Sequence, residues 1–213
     1  MKSVDLLCLI LIIITFIGCD NTVTMNDSSP KDNASSLDEL YLKAVADAMY
    51  AEPYEISDKL ISIVNYGDYT AGPGNLKWMK VNGQDYVLGL TLVKEKYKQG
   101  YVENIGVLDT TGNWESWITV VPESKDFFIY YSVNSKDAGL RVKQLLGMNW
   151  KDENNYFVEM WVRVSDLFRP SADPETNDTK SELYFRADTD SAHIKWFNSR
   201  LGYVYSGSSP YPW

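Results

Sequence analysis

The chain is poor in the side chains that build most metal and nucleophilic sites. Among its 213 residues it has two cysteines, Cys8 and Cys19, and one histidine, His193. A single histidine cannot form the common multi-histidine zinc and non-haem iron sites. No Gly-x-Ser-x-Gly motif is present to supply a serine nucleophile for His193. We therefore expect no cofactor and no metal, and no enzyme of these classes.

Basic side chains are also scarce. The chain has 20 lysines and arginines against 29 aspartates and glutamates, which gives a net charge of −9. Because nucleic-acid binding requires a basic surface, nucleic acid is not an expected partner. An anionic lipid surface would also repel a domain of this charge.

Only one apolar run is long, and it lies near the N-terminus. Leu6 to Ile17 is almost unbroken, and its twelve residues would rise about 18 Å as a helix. A membrane-spanning helix needs about 20 residues, so this run is too short to cross a bilayer. With Lys2 before it, the run has the length and position of the apolar part of an export signal.

The run ends in Phe16-Ile17-Gly18-Cys19, which resembles the lipobox of bacterial lipoproteins, with Phe16 in place of the usual leucine. The resemblance implies that residues 1–18 are removed as a signal peptide and that the Cys19 sulfur carries a diacylglycerol. The expected location is then the bacterial cell envelope, with the protein lipid-anchored to a membrane and facing the periplasm or the cell exterior. The folded part would keep no cysteine for a disulfide, a metal or a nucleophile.

The rest of the chain divides into a tether and one domain. Residues 19–35 comprise the lipidated cysteine and a polar stretch without apolar periodicity, which predicts a flexible tether. Residues 36–213 are numerous enough for one domain with a sizeable core. Aromatic residues make up 14% of the chain, more than a disordered stalk carries.

The first predicted element is a helix that starts at the capping box Ser36-Leu37-Asp38-Glu39 and ends before Pro53. Its apolar residues recur at steps of three and four, so we expect this stripe to pack on a sheet. The stripe consists of Leu37, Leu40, Tyr41, Ala44, Val45, Ala48 and Met49.

A hairpin is predicted from Leu76 to Val93, because Asn82-Gly83 favours a type I′ turn. This turn sets Trp78 opposite Val87, Met79 opposite Tyr86 and Lys80 opposite Asp85. Both faces of the second strand are apolar, which is typical of a central strand covered on both sides.

The segment Tyr156–Val164 alternates and predicts a further strand, with Met160 and Val162 on one face and Glu159, Trp161 and Arg163 on the other. We expect one α+β domain with a mainly antiparallel sheet and helices packed on it. The other expected strands are 60–64, 117–121 and 182–186, and the other expected helices are 126–131, 140–146 and 191–199. The stretches 117–123 and 167–170 are similar to bacterial conserved proteins of unknown function, a resemblance that implies no activity.

Glu159, Trp161 and Arg163 are the candidate ligand-binding residues. A tryptophan between two charges suits a groove for a sugar or a peptide, since the ring stacks and the charges orient the ligand. The alternative is a half-exposed sheet face on which cross-strand ion pairs satisfy Glu159 and Arg163, which lie too far apart along the strand to pair with each other.

Three other clusters have weaker patterns. Asp173, Glu175 and Asp178 are dense enough to suggest Ca²⁺, but their spacing is not that of an EF-hand loop and no metal is predicted. His193 follows Asp188 and Asp190, one of which is expected to cap a helix, and it has the pattern of a surface histidine. In the tail, Tyr203 and Tyr205 are expected to close the core, while Tyr211 and Trp213 are either core or a ligand platform.

The function expected from these observations is non-enzymatic binding or assembly at the cell envelope, with an envelope protein or a glycan as partner. The alternative is a hydrolase of envelope or dietary glycans that pairs Glu159 with an acid from residues 170–180. Such an enzyme needs two carboxyl groups about 5 Å apart, or about 6.5–9.5 Å apart, according to its stereochemistry.

We predict that Cys19→Ala releases or mislocalises the protein, because the acyl chains that would hold it contribute about 0.8 kcal/mol per buried CH₂. Membrane fractionation, with gel mobility as the readout of processing, measures the effect. A variant that stays fully membrane-bound and migrates as the processed form would refute the anchor.

Overall fold

The computed structural model describes residues 5–8, 36–48, 50–65, 75–110, 115–134 and 137–204, and the structural statements below concern these ranges. The tether and residues 205–213 lie outside them. Single 3₁₀ turns lie at Pro53–Glu55 and Val164–Asp166. The strands and helices in chain order are β1 (Asp5–Cys8), α1 (Leu37–Ala48), β2 (Trp78–Val81), β3 (Gln84–Lys94), α2 (Glu95–Glu103), β4 (Val107–Thr110), β5 (Thr119–Val120), α3 (Glu123–Asn134), α4 (Ala138–Leu145), β6 (Asn154–Arg163) and α5 (Ser191–Val204).

The strands form one sheet in which every pair is antiparallel. The order is β2-β3-β6-β1-β4, and β5 pairs with β3 on the edge that β2 also occupies. Helices pack on this sheet, so the chain is a single α+β domain with a mainly antiparallel sheet. The fold class predicted from the sequence is confirmed.

The β2–β3 hairpin has the predicted register, with Trp78 opposite Val87 and Lys80 opposite Asp85. Its turn residues have positive backbone φ angles, 49° at Asn82 and 79° at Gly83. A type I′ turn requires this conformation, which asparagine and glycine adopt most readily. The local sequence therefore determines the register of the hairpin.

The pairing of β3 with β6 builds a core on each side of the sheet. On one side, Met160 and Val162 are buried in a cluster that Tyr101 of α2 and Leu167 help to cover. Complete burial of a side chain such as Met160 contributes about 1.5–3 kcal/mol. The predicted assignment of Met160 and Val162 to the core is confirmed, as is the central position of β3.

Helices α3 and α4 cover the other side of the same two strands. Phe128 of α3 stacks on Phe157 of β6 with ring centroids 4.6 Å apart. Val142 of α4 joins this cluster together with Leu90. Helix α4 is capped at its start by the Asp137 side chain, and Gly147 follows its end with a φ of 62°, a conformation that glycine adopts readily.

Helix α1 has the predicted capping box but not the predicted packing. The Glu39 amide donates to Ser36 Oγ, and the Ser36 amide donates to the Glu39 carboxylate. Among the described residues of its apolar stripe only Val45 is buried, whereas Leu37 and Leu40 are exposed. Polar contacts connect the helix to the domain instead, because Asp38 accepts hydrogen bonds from the Trp150 indole and the Lys151 ammonium group.

Other sequence predictions are wrong for tertiary reasons. Residues 60–64 form no strand, because the amides of Leu60 and Ile63 donate to carbonyls of Thr179 and Thr176 in a loop. Residues 182–186 also lack strand structure, and the strand expected at 117–121 shortens to β5. Tyr203 belongs to α5, but its side chain and the whole of Tyr205 lie outside the described part of the structure, so closure of the core by these two residues stays a prediction.

The structure also contains elements that the sequence did not predict, namely α2, β4 and the strand β1 within the apolar run. The backbone of β1 pairs with β4 and with residues Trp161 and Val162 of β6. In the described part of the chain, no helix combines the length and the apolar character needed to cross a membrane.

We predict that the contact of Asp38 on α1 with Trp150 and Lys151 is lost at acid pH. The Lys151 and Trp150 hydrogen bonds hold the pKa of Asp38 below its usual value of 3.8. A carboxyl whose pKa is lowered by folding stabilises the fold above its unfolded pKa, and this stabilisation is lost as the pH falls through the folded value. The indole N–H resonance of Trp150 is therefore expected to shift with a midpoint below 3.8.

The control for this titration is Asp38→Asn, in which the low-pH shift of the Trp150 resonance is expected to disappear. A midpoint at or above the ordinary aspartate pKa, or an unchanged titration in Asp38→Asn, would show that Asp38 does not hold the helix.

Candidate functional site

The three candidate residues of β6 lie on one face of the sheet, as the alternation predicts. Across the ladder Glu159 faces Leu90, Trp161 faces Leu88 and Arg163 faces Tyr86. Trp161 and Arg163 are half-buried, whereas Glu159 is buried. The three side chains therefore differ in their access to a ligand.

Glu159 is held in a buried ion pair. Its carboxylate accepts a hydrogen bond of 2.9 Å from the ammonium group of Lys125 on α3. The Glu159 side chain is 7% exposed and that of Lys125 is 32% exposed. A buried carboxylate requires such a partner, because desolvation of an unpaired charge costs several kcal/mol. This ion pair attaches α3 to the sheet and engages the Glu159 carboxylate in a contact within the protein.

Glu159 and the acidic residues of the loop 170–180, hereafter the acidic loop, lie on opposite sides of the sheet. Glu159 faces α3, whereas the chain enters the acidic loop from Leu167, which packs against the face of Met160 and Val162. The structure therefore does not bring Glu159 together with these acids.

Arg163 also pairs with a carboxylate, and it lines a cleft. Its guanidinium group donates to both oxygens of Asp166, at 2.8 and 3.0 Å. Both charges of the candidate face thus have partners, but these come from a helix and a 3₁₀ turn and not from a neighbouring strand. The cleft beside Arg163 measures about 230 Å³ and is lined by Asn65, Trp78, Gly83, Gln84, Asp85, Arg163, Val164 and Ser165.

The cleft lies where the β2–β3 turn meets the end of β6. Its lining combines an aromatic ring, a guanidinium group, amides and a hydroxyl, and Asp85 is the one carboxylate among its described residues. Asp85 lies 3.4 Å from the ammonium group of Lys80. The indole nitrogen of Trp78 is buried and has no hydrogen-bond partner, an arrangement that costs about 1–3 kcal/mol.

Arg169 organises the acidic loop from within. Its guanidinium group donates to the Asp178 carboxylate and to the backbone carbonyls of Asp178 and Lys180, each at 2.5 Å. The hydrogen bond from Arg169 lowers the pKa of Asp178. The loop is therefore a fixed structure, although it contains no helix or strand.

The acidic loop brings the carboxylates of Asp173, Glu175 and Asp178 close together. One carboxylate oxygen each of Asp173, Glu175 and Asp178 lies within 4.8 Å of the other two. Glu175 also accepts a hydrogen bond from Arg186 at 2.8 Å. Asp173 is 1% exposed, and its Oδ1 is buried without a hydrogen-bond partner.

His193 has a structural contact and not the surroundings of a general base. It lies in the first turn of α5, where Asp190 accepts from the Ala192 amide as an N-cap. The His193 Nε2 atom lies 2.8 Å from the carbonyl oxygen of Ser171, and its ring packs edge-on against Phe168. The side chains of Tyr203, Tyr205, Tyr211 and Trp213 lie outside the described part of the structure.

Sequence reasoning found the residues of β6 but missed Trp78, Gln84 and Arg169. No local pattern marks Arg169, because its hydrogen-bond partners Asp178 and Lys180 lie nine and eleven residues later in the chain. Trp78 and Gln84 flank a predicted turn, which gave no indication of a cleft.

Comparison with known proteins adds no functional information. No family model, no curated protein and no solved structure matches this chain.

We predict that Lys125→Met destabilises the protein by about 3 kcal/mol, because it leaves the Glu159 carboxylate buried without its partner. Chemical denaturation measures the change. The double variant Lys125→Met/Glu159→Leu is expected to recover most of the loss, since an apolar pair of similar volume needs no charge compensation. Equal losses in the single and double variants would show that packing, and not the ion pair, is responsible.

Proposed function

We propose that this protein is a lipid-anchored, non-enzymatic binding protein of the bacterial cell envelope that takes its ligand in the cleft beside Arg163. The anchor is supported by the apolar run and the Gly18-Cys19 sequence that follows it. The binding role is supported by the composition of the cleft.

The observation that favours binding is that a guanidinium group, amides and a hydroxyl group line one cleft together with Trp78, whose side chain is largely buried. Arg163, Gln84 and Ser165 line the cleft together with Trp78. Binding sites commonly combine such a ring with a few polar groups that fix the orientation of the ligand. At about 230 Å³ the cleft is smaller than a typical small-molecule pocket of about 300–1,000 Å³. It therefore suits the terminal unit of a glycan or of a peptide.

The same lining argues against glycan hydrolysis at this cleft. A glycosidase needs two facing carboxyl groups, and Asp85 is the one carboxylate among the described residues that line the cleft. Glu159 is the residue expected to form one half of the carboxyl pair of a hydrolase. Its carboxylate is paired with Lys125, on the far side of the sheet from the acidic loop.

Removal of a signal peptide would change the sheet. Strand β1 lies within residues 1–18, so cleavage before Cys19 takes it away. Strand β6 then loses the backbone partner of Trp161 and Val162, and β4 loses the strand with which it pairs. The lipid-anchored form would keep the pairs of β3 with β2, β5 and β6.

The test is the double variant Gln84→Ala/Ser165→Ala, which removes two polar groups from the rim of the cleft. Both side chains are exposed, so the free energy of unfolding is expected to change by less than about 0.5 kcal/mol. Binding to envelope glycans on an array, and capture of proteins from solubilised envelope, are expected to fall at least tenfold.

The matched control is Gln99→Ala, an exposed glutamine on α2 that does not line the cleft. It is expected to bind as the unmodified chain does. Unchanged binding by Gln84→Ala/Ser165→Ala would place the site elsewhere, and release of cleaved glycan from the array would contradict a non-enzymatic role.

A further inference from the structure

We propose that the acidic loop binds a calcium ion through the carboxylates of Asp173, Glu175 and Asp178. The site lies apart from the cleft, and it does not depend on the function proposed above. Its spacing in the sequence is not that of an EF-hand loop, but the folded loop brings the three carboxylates close together.

The first observation is the distance between the three carboxylates. Their candidate oxygens lie within 4.8 Å of one another. Calcium binds oxygen at 2.3–2.6 Å, so two oxygens on opposite sides of one ion lie at most about 5.2 Å apart. Magnesium requires shorter distances and near-ideal octahedral geometry, with opposite oxygens about 4.2 Å apart. The three carboxylates are therefore close enough to share one ion with water as the remaining ligands, and calcium tolerates the irregular geometry of a loop better than magnesium does.

The second observation is the state of Asp173. This side chain is 1% exposed, and its Oδ2 accepts a hydrogen bond from the Glu182 amide. Its Oδ1 is buried and accepts no hydrogen bond from the part of the chain that the structure describes. A carboxylate that is removed from water needs compensation at both oxygens. A cation shared with Glu175 and Asp178 provides this compensation.

The two neighbouring arginines offset only part of the charge. Arg169 contacts Asp178 and Arg186 contacts Glu175, whereas the buried Oδ1 of Asp173 has no such contact. One carboxylate offers about four lone-pair sites, so a hydrogen bond from arginine does not prevent the same group from binding a metal. Two guanidinium groups do not offset three carboxylates, so the cluster stays attractive to a cation.

The fixed loop supplies the remaining requirement, which is a preformed arrangement of ligands. Arg169 binds carbonyl groups on both sides of Thr179, and Leu60 and Ile63 bind the carbonyls of Thr179 and Thr176. The Glu175 and Asp178 side chains are 33% and 42% exposed, so an ion can enter from solvent. Three protein ligands correspond to weak binding, with a Kd of about 10⁻⁴–10⁻³ M.

The experiment is calorimetric titration of the full-length, chelator-treated chain with CaCl₂ and, separately, with MgCl₂. We expect one calcium per chain, and a rise in Tm of about 3–6 °C at 10 mM CaCl₂ for a Kd near 1 mM. We expect neither response with MgCl₂. No calcium binding up to 10 mM, or an equal response to magnesium, would overturn the proposal.

The variant that tests the ligands is Glu175→Gln, which keeps an oxygen for Arg186 but removes the charge. We expect calcium binding at least tenfold weaker. The matched control is Asp188→Asn, which also contacts Arg186 but lies outside the cluster, and we expect affinity within about twofold of the unmodified chain. Equal affinities for Glu175→Gln and Asp188→Asn would overturn the site, with circular dichroism confirming that both variants are folded.

Discussion

The antiparallel pairing of β3 with β6 is the contact on which the other parts of the structure depend. It runs from Tyr86 opposite Arg163 to Lys94 opposite Asn154. Because side chains alternate along both strands, this one ladder creates two faces, and α3 and α4 cover one while α2 and Leu167 cover the other. It also places the end of β6 beside the hairpin turn, which forms the cleft, and directs the chain towards the acidic loop.

The parts of the fold that could be predicted are those determined by near neighbours in the chain. Asn82-Gly83 determines the hairpin register, Ser36 and Glu39 start α1, and the alternation of β6 separates Met160 from Trp161. The wrong predictions concern segments whose partners are distant. Residues 60–64 have the composition of a strand, but their amides bind a loop more than a hundred residues later. The apolar stripe of α1 is periodic, yet most of its described side chains are not buried against the domain.

The candidate site shows the same division. The sequence placed Glu159, Trp161 and Arg163 on one face, but it could not show that Lys125 occupies Glu159 or that Asp166 pairs with Arg163. Partners of a buried charge come from whatever element the fold brings close, and no local pattern specifies them. The same holds for Asp173, Glu175 and Asp178, because Arg169 and Arg186 fold their loop and thereby set the distances between them.

Strand β1 gives one stretch of sequence two competing uses. Under the export proposal, Asp5–Cys8 lies in the segment that the secretion machinery must recognise, whereas in the sheet its backbone is sequestered between β4 and β6. The competition is kinetic, because β6 emerges from the ribosome on the order of ten seconds after these residues at about 5–20 residues per second. The secretion machinery can therefore bind the nascent N-terminus before β1 can pair with β6. If the secretion machinery does not bind residues 5–8 before β6 is synthesised, the chain would fold with this part of the export signal paired in the sheet.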